Sequence, residues 1–307
     1  MTPIVTLTLN PSVDGASEAE AVRPTHKIRT SNERYDPGGG GINVARVVNE
    51  LGGASLAVYL AGGATGSVLD DLLAARGVAG RRIGISDHTR VSHAVYERST
   101  GLEYRFVPEG PVIEEDACRR CLAALEELDF AYLVASGSLP RGVKPGFYVE
   151  VGAIVRRKGA KLVLDTSGPA LRETLAAGGV HLVKPSLGEF EQFSGRSLRE
   201  PAAQEEAALD LVHRGGAELV AVTMGHEGAL LASADGVIRH PALPVVARSA
   251  VGTGDSFVAG MTFGLARGQP AARAFRLGIA AGTAAVLTPG TELCRREDVE
   301  RLLPMVG

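Results

Sequence analysis

Regular alternation of helices and strands over the second half of the chain constrains the fold more than any other feature of this sequence. From Glu114 onward, stretches with apolar residues at helical spacing are separated by short runs of aliphatic and β-branched residues. The predicted helices cover 114–128, 145–158, 204–214, 255–267, 271–287 and 296–302, and the predicted strands cover 130–135, 161–165, 180–183 and 219–223. Because parallel strands need crossover connections, this alternation predicts an α/β fold with a doubly wound, mostly parallel sheet flanked by helices.

The first half of the chain adds strands to that sheet and predicts a second, smaller sheet. Further strands are predicted at 4–9, 55–61 and 81–85, and an edge hairpin is predicted at 228–233 and 237–240. Residues 15–36 are polar and β-like, and alternating residues at 89–97 and 103–107 flank a turn, which is typical of a hairpin. We therefore expect one domain over 1–307, with a small β-sheet lid formed by about 15–36 and 89–108.

Composition and charge argue against nucleic-acid and membrane partners. The formal net charge is −3, and the lysines and arginines are scattered along the chain rather than clustered. The uncharged stretch 51–69 contains five glycines and makes a poor membrane helix, and the start Met1-Thr-Pro-Ile-Val lacks the basic segment of a signal peptide. Three cysteines, Cys118, Cys121 and Cys294, fit a reducing cytoplasm, and the first two fall inside a predicted helix, which favours a structural role.

Glycine-rich turns stand directly before three predicted helices. They run from Gly38 to Gly41, from Gly62 to Gly66 and through Gly252-Thr253-Gly254. Backbone N–H groups in the first turn of a helix have no intrahelical partner and lie at the positive end of the helix dipole, so they suit an anion. The run of four glycines favours close approach of the backbone to a ligand, because a flexible linker rarely continues into an amphipathic helix.

Two aspartates stand where such a ligand would be bound. Asp255 falls in the first turn after Gly254, where a carboxylate could take the proton from a hydroxyl that attacks a phosphoryl group. On this motif alone, a helix capped after a glycine turn is the simpler interpretation. Asp14 follows the first strand, and ligands of open parallel sheets bind beyond the carboxyl ends of strands, although an Asx-turn explains Asp14 equally well.

Six stretches, in one order along essentially the whole chain, resemble a known family. They are Leu7-Thr-Leu-Asn-Pro-Ser-Val-Asp14, Pro37-Gly-Gly-Gly-Gly-Ile-Asn-Val-Ala-Arg46, Ala61-Gly-Gly-Ala-Thr-Gly66, Ser136-Gly-Ser-Leu-Pro140, Val251-Gly-Thr-Gly-Asp-Ser256 and Gly290-Thr-Glu-Leu-Cys294. Together they resemble the ribokinase-like (PfkB) family of sugar kinases, and within it the minor-isozyme type of ATP-dependent 6-phosphofructokinase. The resemblance implies a ribokinase-like fold with a lid, and phosphorylation of the C1 hydroxyl of fructose 6-phosphate to fructose 1,6-bisphosphate in glycolysis.

Other activities stay open at this stage. 1-Phosphofructokinases and tagatose-6-phosphate kinases usually carry a lysine where this chain has Gly40, and that single residue favours fructose 6-phosphate. An unphosphorylated sugar or nucleoside is a further candidate substrate. A non-catalytic sugar-phosphate or nucleotide-binding protein is the alternative of another class, but Asp255 and the run from Gly252 to Gly254 are intact. An NAD-dependent oxidoreductase is disfavoured because the first strand runs into Asn10-Pro11 rather than into a G-x-G-x-x-G turn.

The resemblance assigns roles to individual residues. Asp255 is the expected catalytic base, and the backbone N–H groups of Gly252, Thr253 and Gly254 form the expected anion hole. The expected sugar or phosphate contacts are Asp14, Lys27, Gly39, Gly40, Asn43, Arg90, Arg105 and Ser138, and the expected nucleotide contacts are Lys184, Ser186, Thr223, Gly225 and Gly228. A substrate that is already phosphorylated calls for cations, which Lys27, Arg90 and Arg105 supply, although a solvated lid face accounts for Arg105 equally well.

The resemblance also implies cofactors and an assembly. Magnesium would accompany ATP, with Glu189 placing it through water. The family commonly has Asn-x-x-Glu where this chain has Ser186-Leu-Gly-Glu189, so we expect looser placement of metal and nucleotide, or a water in the gap. Potassium is a further candidate, held by the backbone carbonyls of Ser249, Val251, Ala285 and Gly290. Pairing of two lids implies a homodimer that acts on ATP and a phosphorylated hexose in the cytoplasm.

Overall fold

The computed structural model describes residues 4–307, which form a nine-stranded sheet flanked by helices and a separate four-stranded sheet. The strands are β1 Ile4–Thr8, β2 Ser12–Ala19, β3 Thr30–Gly38, β4 Ser55–Ala61, β5 Ala79–Gly84, β6 Arg90–Glu97, β7 Glu103–Phe106, β8 Tyr132–Ser136, β9 Lys161–Asp165, β10 Val180–Val183, β11 Ala217–Thr223, β12 Ala229–Ser233 and β13 Gly236–His240. The helices are α1 Gly40–Glu50, α2 Gly63–Ala75, α3 Glu115–Glu127, α4 Phe147–Arg157, α5 Gly168–Ala177, α6 Leu187–Ser194, α7 Pro201–His213, α8 Thr253–Ala266, α9 Ala271–Val286 and α10 Arg296–Leu302. The predicted domain and the segment considered as a signal peptide both begin with residues 1–3. These three residues lie outside the described part of the chain.

The large sheet is doubly wound, and its strands are parallel except at one edge. Its strand order is β13-β12-β11-β10-β9-β8-β1-β4-β5, and β12 and β13 form an antiparallel hairpin beside β11. The interior strand β1 pairs in parallel with β4 and β8 and is buried along its whole length, and its side chains are all apolar or carry a hydroxyl. This arrangement confirms the predicted α/β fold, and it brings the carboxyl ends of β1, β8, β9, β10 and β11 to one edge.

Helices cover both faces of the large sheet. One buried cluster packs the sheet against α3 to α7, and a second packs it against α1 and α8 to α10. Helices α8 and α9 approach closely through glycines, since a Cβ at Gly260 would lie 2.8 Å from the Leu277 carbonyl oxygen. The packing buries α8 on all sides from Ser256 to Gly264, and this fixes the direction in which the first turn of α8 points.

The small sheet has the strand order β3-β2-β6-β7 and is built from residues 12–38 and 90–106. Strands β2 and β3 form one antiparallel hairpin, β6 and β7 form another, and β2 pairs with β6 in parallel. The two pieces expected at 15–36 and 89–108 therefore both form hairpins and join into one sheet. Because β2 begins at Ser12, shortly after β1 ends at Thr8, the small sheet continues directly from the edge at which the strands of the large sheet end.

Two helices, α5 and α6, are present that sequence periodicity does not predict. Helix α6 has only eight residues and α5 begins at Gly168-Pro169, so neither shows the repeated apolar spacing of a long amphipathic helix. Cys118 and Cys121 lie in α3 with free thiols, and the structural role expected for them stays a prediction. Among residues 4–307, no helix combines the length and the apolar character needed to cross a bilayer.

Candidate active site

The first turn of α8 leaves backbone N–H groups without helical partners. Gly252 caps the helix with a φ of 69°, a conformation that L side chains rarely adopt, and a Cβ there would lie 2.3 Å from Leu293 Cδ2. The N–H of Ser256 donates to the Gly252 carbonyl oxygen over 2.8 Å. The N–H groups of Thr253 and Gly254 come before this first helical hydrogen bond and have no partner within the helix. They are therefore available for an anion at the positive end of the helix.

Asp255 lies in this first turn and accepts a hydrogen bond from α1. Asn43 Nδ2 donates to Asp255 Oδ2 over 2.9 Å. Burial, followed by the neighbouring carboxylate of Asp165, raises the pKa of Asp255 to about 7, and Asn43 and Lys184 oppose part of that rise. A carboxylate with a pKa near neutrality is suited to act as a general base at physiological pH.

A buried ion pair stands beside the first turn of α8. Asp165 ends β9 and Lys184 follows β10, and Lys184 Nζ lies 3.1 Å from Asp165 Oδ1. Burial alone would lower the pKa of Lys184, but the carboxylates of Asp165 and Glu189 outweigh burial and raise that pKa above its ordinary value. A Cβ at Gly254 would be 3.5 Å from Lys184 Nζ, so the ammonium lies against the turn and adds positive charge there.

A cleft between the small sheet and the loops beside α8 contains Asp14. On β2, Asp14 Oδ1 accepts a hydrogen bond from Ser92 Oγ of β6. Arg105 of β7 lines the same cleft, as do Val251 before α8 and Thr291 after α9. The cleft therefore combines a carboxylate, hydroxyls and a guanidinium, which are groups that bind hydroxyls and phosphates, and its volume in this structure is about 20 Å³.

The glycines before α1 are required by close contacts. Gly39 has a φ of 108°, and a Cβ there would lie 2.8 Å from Thr8 Cγ2. A Cβ at Gly40 would lie 2.2 Å from Ser136 Oγ, so any side chain at this position, a lysine included, would displace the turn after β8. The chain thus keeps bare backbone where α1 meets the carboxyl ends of β1 and β8.

The residues predicted to bind nucleotide lie at the carboxyl ends of β10 and β11. Ser186 bridges to Thr223, and Gly225 and Gly228 follow in the turn after β11. Ser186 also caps α6, since its hydroxyl accepts from the Glu189 N–H at 3.3 Å while Glu189 Oε2 accepts from the Ser186 N–H at 2.8 Å. This capping box satisfies both side chains, so Ser186 has a structural role of its own and the looser metal placement expected from it stays a prediction.

Of the predicted substrate contacts, Lys27 and Ser138 are exposed to solvent, and Arg90 donates hydrogen bonds to backbone carbonyl oxygens. Lys27 lies on the exposed connection between β2 and β3, and Ser138 is exposed in the turn after β8. Arg90 Nη2 donates to the Asn10 carbonyl oxygen at 2.8 Å, and its Nη1 donates to the Pro108 carbonyl oxygen at 3.0 Å. Arg90 therefore joins the small sheet to the end of β1, and its contact with a phosphate stays a prediction.

The carbonyls predicted to hold potassium lie before α8 and at the end of α9. Ser249 Oγ donates to the Gly290 carbonyl oxygen over 3.2 Å and accepts from the Val251 N–H over 3.2 Å. The Ala285 carbonyl oxygen accepts a hydrogen bond of 2.8 Å from Thr288 Oγ1. A carbonyl oxygen has two lone pairs, so the Gly290 oxygen keeps one for a cation, whereas the Ala285 oxygen also accepts from the Thr288 N–H at 3.3 Å.

Several residues that sequence reasoning did not single out belong to the site or support it. Asp165 ends a predicted strand, so the strand-end rule that selected Asp14 would also have selected Asp165. Asp36 and Arg46 contact each other, but no local sequence pattern marks them as part of the site. The other partners of Asp36 are Arg76 and Thr291, which are both remote from it in the sequence.

The chain is similar to known proteins in sequence and in structure. The pfkB family carbohydrate kinase profile matches residues 7–298. ATP-dependent 6-phosphofructokinase isozyme 2 of Mycobacterium tuberculosis is 46% identical over 99% of this chain and 90% of its own length. The isozyme 2 of Escherichia coli is 39% identical over 98% of each chain, and 1-phosphofructokinase of Bacillus subtilis is 31% identical over 99% of this chain and 98% of its own.

Solved structures of one enzyme match nearly the whole chain. Phosphofructokinase-2 from Escherichia coli in complex with potassium superposes with a TM-score of 0.96 at 38% identity and covers 99% of both chains. The same enzyme in complex with fructose-6-phosphate has a TM-score of 0.94 at 37% identity and covers 100% of this chain and 99% of its own. Its tetrameric inhibited form has a TM-score of 0.94 at 38% identity and covers 99% of both chains.

Proposed function

The chain belongs to the pfkB family of carbohydrate kinases and is an ATP-dependent sugar-phosphate kinase, and we propose that it phosphorylates the C1 hydroxyl of fructose 6-phosphate, giving fructose 1,6-bisphosphate and ADP. The observation that carries this proposal is the meeting of Asp255, Asn43 and Lys184 at the first turn of α8. A cleft lined by Asp14 and Arg105 stands beside that turn. Similarity to 6-phosphofructokinases of isozyme 2 supports the choice of hexose phosphate.

Asp255 takes the proton of the sugar C1 hydroxyl while the bond to phosphorus forms. With a pKa of about 7, a large fraction of Asp255 is deprotonated at neutral pH, and the carboxylate is still basic enough to accept a proton. The N–H groups of Gly252, Thr253 and Gly254 stabilise the charge on the transferred phosphoryl group, and Lys184 adds a cation beside them. In such a reaction the protein contributes positioning and electrostatic stabilisation rather than covalent chemistry.

The sugar phosphate would occupy the cleft between the small sheet and α8, which has to widen to admit it because its volume in this structure is about 20 Å³. Asp14 and Asn43 bind sugar hydroxyls, and the bare backbone at Gly39 and Gly40 lets the sugar approach α1. Arg105 binds the phosphate that the substrate already carries, because its side chain lines the cleft. Lys27, Arg90 and Ser138 complete the substrate contacts when the small sheet closes as a lid.

The nucleotide lies toward the ends of β10 and β11. Its contacts are Lys184, Ser186, Thr223, Gly225 and Gly228. Glu189 fits a role in placing magnesium through water, since both bonds from Ser186 go to Glu189 Oε2 and leave Oε1 for a metal-bound water. Magnesium, when bound with ATP, neutralises charge on the phosphates.

The carbonyl oxygens of Ser249, Val251, Ala285 and Gly290 would hold potassium. These ligands are neutral backbone oxygens and include no carboxylate, so the set suits a monovalent cation that is coordinated by several oxygen atoms. These residues flank the first turn of α8, so a cation there would add positive potential to the anion hole.

We propose that the small sheet is the lid of a single kinase domain over 1–307 and that two lids pair in a homodimer. Tyr35 on β3 and Phe106 on β7 are 51% and 59% exposed, and both lie in one register row through Gly15 and His93. Aromatic side chains in a row on a sheet are typical of a surface that is covered in the assembly. The free thiols of the chain fit the cytoplasm as the compartment.

The second candidate activity is that of a 1-phosphofructokinase. Similarity to the Bacillus subtilis enzyme supports it, although at lower identity, and the crowding of Gly40 by Ser136 leaves no room for the lysine of that branch. Both activities give the same product, so only the choice of starting sugar phosphate separates them.

Initial-rate kinetics with MgATP and a panel of sugar phosphates test the proposed function. We expect kcat/KM for fructose 6-phosphate to exceed that for fructose 1-phosphate and tagatose 6-phosphate, with unphosphorylated fructose as the control that lacks the anionic group. A higher kcat/KM for fructose 1-phosphate would establish the second candidate. Absence of ADP production with every sugar would favour a non-catalytic binding protein.

A further inference from the structure

Asp36 lies deep in the protein at the end of β3, where a negative charge must be paired. Its side chain is fully buried, and its carboxylate accepts hydrogen bonds from three residues. The donors are Arg46 Nη2 at 3.2 Å, Arg76 Nη2 at 2.5 Å and Thr291 Oγ1 at 2.7 Å. Separating a buried carboxylate from a cationic partner costs free energy, because the charge is then left unpaired. The hydrogen bond to Asp36 therefore holds the guanidinium of Arg46 in one place.

Arg46 in turn decides how the carboxamide of Asn43 is oriented. Arg46 Nη1 donates to Asn43 Oδ1 at 3.2 Å and to the Pro37 carbonyl oxygen at 2.8 Å. A guanidinium has donors and no acceptor, so the oxygen of the carboxamide has to face it. The NH₂ group of Asn43 therefore points the other way, where Nδ2 donates to Asp255 Oδ2 over 2.9 Å.

We propose that Arg46, fixed by Asp36, is a positioning residue that orients Asn43 and thereby holds Asp255 in its deprotonated, reactive form. The four side chains form one continuous series of hydrogen bonds from the end of β3 to the first turn of α8. Arg46 acts on Asp255 through Asn43 and through its own positive charge, and it does not need to touch either substrate. This inference rests on the proposed function, because it requires Asp255 to act as the base.

The charges around Asp255 show why the orientation of Asn43 matters. The carboxylates of Asp165 on β9 and Asp14 on β2 disfavour the deprotonated form of Asp255. The cations Lys184, after β10, and Arg46, on α1, favour that form. The hydrogen bond from Asn43 adds to the favourable side. Without Arg46, the carboxamide can rotate and present Oδ1 to Asp255, which then retains its proton to higher pH.

The test is the pH dependence of kcat for Arg46→Gln at saturating MgATP and fructose 6-phosphate. A base must be deprotonated to act, so a raised pKa moves the acid limb of the profile to higher pH. Since a hydrogen bond to a charged group is worth about one pKa unit or more, we expect a shift of about one unit, about tenfold lower kcat on the acid limb, and recovery toward the wild-type value at about pH 9.

Two further variants sharpen the result. Arg46→Lys keeps the positive charge but cannot use separate nitrogens for Asp36 and Asn43, so it should shift the limb by a smaller amount. Arg76→Gln is the matched control, because it removes another partner of Asp36 from a half-exposed position without touching Asn43, and its acid limb should coincide with that of the wild type.

A kcat that falls by the same factor at every pH, with the acid limb unmoved, would overturn the proposal and leave Arg46 a purely structural role. If circular dichroism shows that Arg46→Gln does not fold, Arg46→Lys decides, and an unmoved limb in that variant overturns the proposal. Failure of the proposed function is separate, since the wild-type protein itself would then not turn over fructose 6-phosphate. The same profiles would then be measured with the hexose phosphate that the protein does phosphorylate.

Discussion

At the residue scale, the burial of Asp255 sets the pH at which the protein should work. Burial and the carboxylate of Asp165 raise the pKa of Asp255 to about 7, and the base is active only when it is deprotonated. We therefore expect kcat to be low in acid, to rise through about pH 7 and to level off above it. A rate profile at saturating substrates measures this limb directly. A limb near pH 4, the ordinary value for an aspartate, would show that the carboxylate is not buried during turnover.

Arg105 is the residue that should decide affinity for the phosphorylated sugar. Arg105 lines the cleft together with Asp14. The variant Arg105→Ala should therefore raise KM for fructose 6-phosphate by about 10- to 100-fold, because a charge-assisted hydrogen bond contributes about that factor to binding. The effect on kcat should be smaller. Arg98→Ala is the control on the same small sheet, since Arg98 is paired with Glu18 outside the cleft. Equal KM values for the Arg105 variant and the wild type would remove Arg105 from the phosphate site.

At the scale of the elements, helix α6 depends on its first residues. Ser186 and Glu189 cap it reciprocally, so Ser186→Ala should lower the free energy of unfolding by about 1 kcal/mol. Chemical denaturation measures the change, and Ser197→Ala, at an exposed position beyond the helix, is the control that should leave stability unchanged. A Ser186 variant as stable as the wild type would mean that the capping box contributes nothing.

The elements and much of the site could be predicted because they rest on local signals. Strands such as 161–165 are short runs of β-branched and aliphatic residues, and the turn at Gly252 needs a conformation that favours glycine. Helix α6 is too short to show a period. The contacts of Asp36 with Arg46 and Thr291 join residues 10 and 255 positions away, and no local pattern encodes such a contact.

At the scale of the whole molecule, the small sheet lies between the candidate site and the proposed dimer interface. One face contributes Asp14 and Arg105 to the cleft, while Tyr35 and Phe106 remain exposed. The same strands carry both surfaces, because side chains of adjacent residues in a strand point to opposite faces. Arg105 and Phe106 are adjacent on β7 and show this division.

Phe106→Glu should therefore convert a dimer into monomers. A charge at this end of the row through Tyr35, Gly15 and His93 would be buried without a partner in the paired lids, which is costly. Analytical ultracentrifugation measures the assembly, and Val246→Glu, which places the same charge at an exposed apolar residue away from the small sheet, is the control that should leave it unchanged. A dimer that persists in the Phe106 variant would place the interface elsewhere.

The turnover of Asp255→Asn tests the central claim most directly, namely that the carboxylate at the start of α8 deprotonates the sugar hydroxyl beside the phosphoryl-binding turn. Asparagine keeps the shape and can still contact Asn43, but it cannot accept the proton. We predict that kcat with MgATP and fructose 6-phosphate falls about 10²- to 10⁴-fold while calorimetry shows unchanged ATP binding. A variant that binds ATP and keeps most of the wild-type kcat would contradict the account.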